Sequence, residues 1–84
     1  MYYVYVLKSN NHWRFYVGFT QNIKKRLKEH NNGYTKSTKG YRPWSLFFFE
    51  EIPTRIDARK REKYLKSGVG KEYIKQKWAS SSAG

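Results

Sequence analysis

Eighty-four residues without a cysteine make one domain held by packed apolar side chains: so short a chain buries only ~60 to 65% of its unfolded surface and has no disulfide or thiolate-bound metal. Eighteen Lys and Arg against six Asp and Glu give a formal charge of +12, which draws polyanions and makes nucleic acid the leading partner class. No apolar run approaches the ~20 residues of a membrane span and no leader pattern follows Met1, so a cytoplasmic domain over residues 1–79 is expected, with no membrane partner and a disordered tail at 80–84.

Residues 2–8 alternate and are rich in aromatic and β-branched side chains, residues 9–12 are polar, and residues 13–19 resume the alternation, which predicts a β-hairpin. On its second strand Trp13, Phe15 and Val17 share one face, expected toward the core, while Arg14, Tyr16 and Gly18 share the other. Gly18 leaves the backbone bare beside Tyr16, so a ligand is expected to approach there.

A helix over residues 23–30 follows, capped by Asn22 and stopped at Asn31, Asn32 and Gly33. The helical period puts Ile23, Leu27 and His30 on its inward stripe and Arg26 on the flank, with Lys24, Lys25 and Lys28 outward. Residues 34–44 contain Gly40, Pro43 and the cations Lys36, Lys39 and Arg42, and read as a basic loop able to wrap a phosphate. Residues 45–50 are the most apolar run and read as a strand buried on both faces, central to the sheet.

Thr54 and Asp57 mark the start of a second helix that reaches about Lys66. Its inward face centres on Ala58, with Leu65 to one side and Glu62 to the other. A carboxylate in an apolar stripe is costly unless paired or metal-bound, so Glu62 is either a metal ligand or the partner of Arg26 or Arg61. Glu50 and Glu51 are alternative ligands, or solvated strand-end charges. After residues 67–70 a last helix over 71–79 turns Tyr73, Ile74 and Trp78 inward. The order ββαβαα predicts a small α+β sandwich, a three-stranded, mostly antiparallel sheet flanked by helices.

Each candidate has a plain structural reading as well. Tyr5 and Tyr16 suit strands, Arg26 can be a solvated helix cation, and His30 can be a satisfied core or helix-end histidine. Together, Tyr3-Val4-Tyr5, Tyr16-Val17-Gly18, Arg26 and His30 in NIKKRLKEH, and Glu62 in DARKREKYLKSG carry a more specific pattern. From Tyr3 to about Ile74 the sequence resembles the GIY-YIG nuclease domain, most closely its stand-alone bacterial members related to the nuclease domain of the bacterial excinuclease. It departs from the excinuclease branch in having Tyr3 for the first glycine and Phe19 where a lysine often follows YIG.

The resemblance implies a DNA endonuclease dependent on Mg²⁺ or Mn²⁺, with RNA left open as a substrate. Tyr5 and Tyr16 would be phenols near the attacking water, Arg26 would hold the scissile phosphate, His30 would relay a proton, and Glu62 would bind the metal. The base is left open among Tyr5, Tyr16 and a hydroxide held by the cation. A phenol serves as a base at neutral pH only with cations nearby, for which Arg14, Lys24, Arg26 and Lys39 are candidates. A single carboxylate implies a cation held weakly until substrate phosphate completes its shell. Lys24, Lys36, Lys39 and Arg42 are expected to hold phosphates without reading bases, with Gly18 admitting the backbone. The chain has no room for a separate recognition domain, so cutting is expected to be directed by DNA structure, damage or a targeting protein partner.

Overall fold

A computed structural model describes the backbone of residues 1–83 and the side chains of residues 1–80. Strands β1 (Tyr2–Ser9) and β2 (Phe15–Thr20) form the expected antiparallel hairpin, with Tyr5 opposite Gly18 and Leu7 opposite Tyr16. Trp13 falls outside the strand and is 61% exposed, against the expectation that it faces the core. The turn explains this: Ser9 Oγ accepts from the backbone N–H of Asn11 and His12, and Ser9 N–H donates to the Arg14 carbonyl, which leaves Trp13 in the loop.

Strand β3 (Trp44–Ile52) pairs antiparallel with β1 on the edge opposite β2, giving the order β2-β1-β3. The central strand is therefore β1, not the phenylalanine run. Its Val4, Tyr5, Val6 and Leu7 are all buried, whereas Leu46 and Phe49 on β3 are exposed. The hairpin leaves an open edge on each of its strands, and β3 pairs along the one on the longer strand, β1.

Helices α1 (Ile23–Asn31) and α3 (Arg55–Lys66) match their sequence signals, each with its cap formed: Asn22 accepts from the Lys25 N–H and Thr54 from the Asp57 N–H. A third helix, α2 (Lys36–Lys39), lies inside the stretch expected to be loop. Four residues are too few to show a helical period, so the sequence carries no signal for it. Helix α4 (Gly68–Ala83) begins earlier and ends later than the expected 71–79. Residues 80–83 of the tail expected to be disordered thus have helical backbone, and Gly84 lies outside the described residues.

The early start of α4 depends on Gly70. A Cβ there would run into the Tyr64 carbonyl oxygen and the Leu65 backbone, so only glycine lets α4 turn this tightly off α3. The two helix pairs sandwich the sheet. Val4, Val6 and Val17 face Ala58 and Leu65 of α3 and Ile74 of α4. On the opposite face Tyr5, Leu7 and Tyr16 pack with Ile23 and Leu27 of α1, Tyr41 and Trp44. The end of α1 is clasped to β3 by Asn31, whose side chain accepts from Trp44 N–H at 2.6 Å and donates to Trp44 O at 3.0 Å. That clasp fixes where Arg26 and His30 point.

Candidate active site

Pairing on β1 and β2 puts Tyr5, Tyr16 and Gly18 on one sheet face. The Tyr5 phenol lies across the glycine: a Cβ on Gly18 would stand 2.6 Å from Tyr5 Oη and 3.2 Å from Tyr16 Cε2. The space is therefore taken by the phenol, which corrects the expectation that Gly18 admits a ligand to the backbone. The two tyrosine rings are 6.3 Å apart, and Tyr16 lies 4.7 Å from the His30 ring, centroid to centroid.

His30 is fully buried and bonded at both nitrogens, Nε2 to Tyr5 Oη at 3.0 Å and Nδ1 to Thr38 Oγ1 at 2.9 Å. Thr38 itself donates to the Thr35 carbonyl at 3.2 Å, so its oxygen is left to accept from Nδ1–H. Nε2 is then the acceptor, and Tyr5 donates its proton to it. Burial, reinforced by the Arg26 charge, pushes the His30 pKa down from 6.5 to about 4, with Glu29 opposing, so the ring is neutral. Burial, then Tyr16, raises the Tyr5 pKa to about 12, although Arg26 pulls it down. Tyr5 is therefore a buried, protonated phenol spanning Arg26 and His30.

This arrangement gives a stability signature. Between pH 6.5 and about 4 the unfolded chain binds a proton that native His30 refuses. Its contribution is complete above pH 6.5 and is lost as pH falls toward 4, by up to about 3 kcal/mol. Urea denaturation across that window is expected to show stability falling with acid in the wild type and a flatter slope in His30→Gln. Equal slopes would show that His30 is not held neutral.

Arg26 is half-buried and ion-paired with Glu29 at 3.0 Å. Burial acts to lower its pKa, but the bonds to Glu29 and Tyr5 more than offset this and the net shift is upward. Its guanidinium thus stays charged beside the phenols. Glu62 projects from α3 and is 7% exposed. Its partners are Arg59 at 3.5 Å and Lys66 at 3.2 Å, not the expected Arg26 or Arg61. Lys66 ties it to the phenols, with Nζ 5.9 Å from the Tyr16 ring centroid, and the Glu62 charge acts on Tyr5. Arg61 instead grips Glu50 with two bonds of 2.8 and 3.0 Å, which removes Glu50 as a ready metal ligand.

The remaining cations expected to hold nucleic acid are arranged separately. Lys24 sits with Tyr3, Gln21 and Phe49 along a shallow groove toward β3. Lys36, Lys39 and Arg42 gather at α2, where Arg42 Nε donates to the Lys39 carbonyl at 2.8 Å. Arg14 is turned to Tyr41, donating to its hydroxyl at 2.7 Å. Two neighbours of the cluster are not among the residues expected from sequence. Lys66, one turn beyond Glu62, carries a signal in its helical spacing; Thr38 carries none, since its helix is one turn long.

Among the described residues no three His, Cys, Asp or Glu side chains gather to hold a metal. Two carboxylates adjoin the cluster, Glu29 held by Arg26 and Glu62 held by Arg59 and Lys66, and Glu62 is the one whose charge reaches the Tyr5 phenol and is the candidate ligand. That suits Mg²⁺ or Mn²⁺, which retain water and take one or two carboxylates plus substrate phosphate. It does not suit a preformed cage.

Comparison with known proteins shows the family. The profile of the GIY-YIG catalytic domain matches residues 1–77. A UPF0213 protein of Clostridium perfringens is 43% identical over 67 residues, covering 79% of this chain and 71% of its own. The UPF0213 protein YazA of Bacillus subtilis is 39% identical over 84 residues, covering 94% and 83%. The solution NMR structure of a UPF0213 protein from Bacillus halodurans superposes with a TM-score of 0.54 at 29% identity, covering 89% of this chain and 82% of that one. With the domain profile spanning nearly the whole chain and relatives of similar length, the protein belongs to the GIY-YIG catalytic domain family, whose domains are generally nucleases.

Proposed function

We propose that this chain is a divalent-metal-dependent endonuclease that hydrolyses phosphodiester bonds in DNA, directed by the structure or damage of the DNA and not by its sequence. The observation supporting this reading is the gathering of Tyr5, Tyr16, Arg26 and His30 around one point, with Glu62 joined to it through Lys66. These groups come from four separate stretches of the chain. Packing alone does not require a charged arginine, a buried carboxylate and two phenols to converge.

In this reading Tyr16 meets the attacking water, because Tyr5 already donates to His30: the Tyr16 phenolate takes the proton and becomes the phenol as the water oxygen bonds to phosphorus and the leaving oxygen departs. Tyr5, held by His30, whose other nitrogen is held by Thr38, positions Arg26 and Tyr16. Arg26 presents its fork to the phosphoryl oxygens, where charge grows in the transition state. Glu62 would hold Mg²⁺ or Mn²⁺, which when bound would offset phosphoryl charge and aid departure of the leaving oxygen. For that, Glu62 must give up Arg59 and Lys66, which implies weak cation binding before substrate arrives. The remaining surface cations attach phosphates of any sequence, so affinity falls steeply with added salt.

The two ion pairs on Glu62 also favour a second reading, a nucleic-acid-binding module on the same fold without catalysis. Incubation with nicked, branched and flap DNA in Mg²⁺ or Mn²⁺ separates the two. New cleavage products that disappear with chelator support the nuclease; tight binding with intact DNA supports the module.

A further inference from the structure

A second feature lies beside Tyr16, away from Arg26 and the α2 cations. A groove of about 370 Å³ runs between the hairpin and the α3–α4 corner, lined by Trp13, Arg14, Tyr16, Lys66, Lys71 and Lys75 over an apolar floor that includes Leu65 and Ile74. Four of its lining residues are cations and none is acidic. Lys71 and Lys75 stand one turn apart on α4, both exposed. Trp13, left outside the hairpin, is 61% exposed, with the Phe15 ring nearly perpendicular to it at 5.4 Å and 77° and the cation Lys8 Nζ 5.5 Å from its ring centroid.

We propose that this groove takes an unpaired DNA strand, with bases stacking on Trp13 and phosphates on Lys66, Lys71 and Lys75. The junction between paired and unpaired DNA then falls at Tyr16. Charge and shape both select this occupant. A groove of this size accommodates a nucleotide at a time and not the flank of a duplex, and a cationic track with an aromatic platform binds single strands without reading sequence. Lys66 links groove to site, since it lies in the groove wall while paired to Glu62 and set over Tyr16. The inference rests on the nuclease reading only for its placing of the junction; the groove binds a strand whether or not the strand is cut.

The test is fluorescence anisotropy without metal, using labelled oligo(dT) and a blunt duplex of equal length. Trp13→Ala is expected to weaken oligo(dT) binding about 5- to 150-fold, the span of one lost base stack, and to leave the duplex within about 2-fold. Lys71→Glu with Lys75→Glu is expected to lower oligo(dT) affinity more than Lys28→Glu with Lys60→Glu, which changes net charge equally on other surfaces. Losses equal for both probes, or no loss from either groove variant, would overturn the proposal. Failure here is separable from failure of the nuclease reading. Cleavage by the wild type with an unchanged flap-to-duplex cleavage ratio in Trp13→Ala would refute the groove alone, and selective oligo(dT) binding without any cleavage would refute the nuclease alone.

Discussion

Replacing Arg26 by alanine is expected to lower turnover on DNA about 10²- to 10³-fold, the usual loss when one preorganised donor to developing charge is removed. The dissociation constant for a long duplex should change less than about 3-fold, because Arg26 is one of 18 Lys and Arg that contribute to phosphate attraction. The fold should survive, since the Glu29 carboxylate left behind is partly solvated. Arg26→Lys retains charge but not the two-pronged fork, so it should recover only part of the loss. Single-turnover cleavage and equilibrium binding on one substrate measure both quantities. Parallel losses of binding and turnover would mean that Arg26 holds DNA in the ground state and has no special role in the transition state.

The second large effect divides the two tyrosines. Tyr16→Phe is expected to reduce turnover about 10²- to 10⁴-fold with little change in stability, as for loss of a positioned proton acceptor. Tyr5→Phe should do something different. Its hydroxyl is the partner of buried His30 Nε2, and removing it leaves that nitrogen unpaired at a cost of about 1–3 kcal/mol in folding. Its effect on turnover should be smaller than that of Tyr16→Phe, because Tyr5 acts by holding Arg26 and Tyr16 in place. Denaturation midpoints and turnover, measured on both variants, check the division. A stable Tyr5→Phe protein without turnover, beside an active Tyr16→Phe, would exchange the two roles.

Much of this site is legible in the sequence because its signals are local. Strand alternation places Tyr5 and Tyr16 on opposed strands, helical period turns Arg26 half inward, and the same period puts Glu62 between Ala58 and Leu65 on the buried side of α3. What the sequence conceals depends on three-dimensional neighbours. Phe47, Phe48 and Phe49 look more buried than Val4, Tyr5 and Val6, which suggests the wrong central strand, yet β3 adds to the free edge of β1 and leaves β1 at the centre. Gly18 reads as an opening for a ligand, when the residue it accommodates is Tyr5 from the next strand. Thr38 orients His30 from a single turn of helix that no periodicity reveals, and Glu62 pairs with Arg59 and Lys66 from its own helix over more distant arginines.

Glu62→Gln, purified alongside the wild type and assayed on flap DNA with Mg²⁺ or Mn²⁺, interrogates the cluster as a hydrolytic site most directly. The expected result is metal-dependent cleavage by the wild type, none by the variant, and equal DNA binding by both. Equal cleavage by the two proteins would contradict the site assignment, and intact DNA from both despite tight binding would make this chain a binding module.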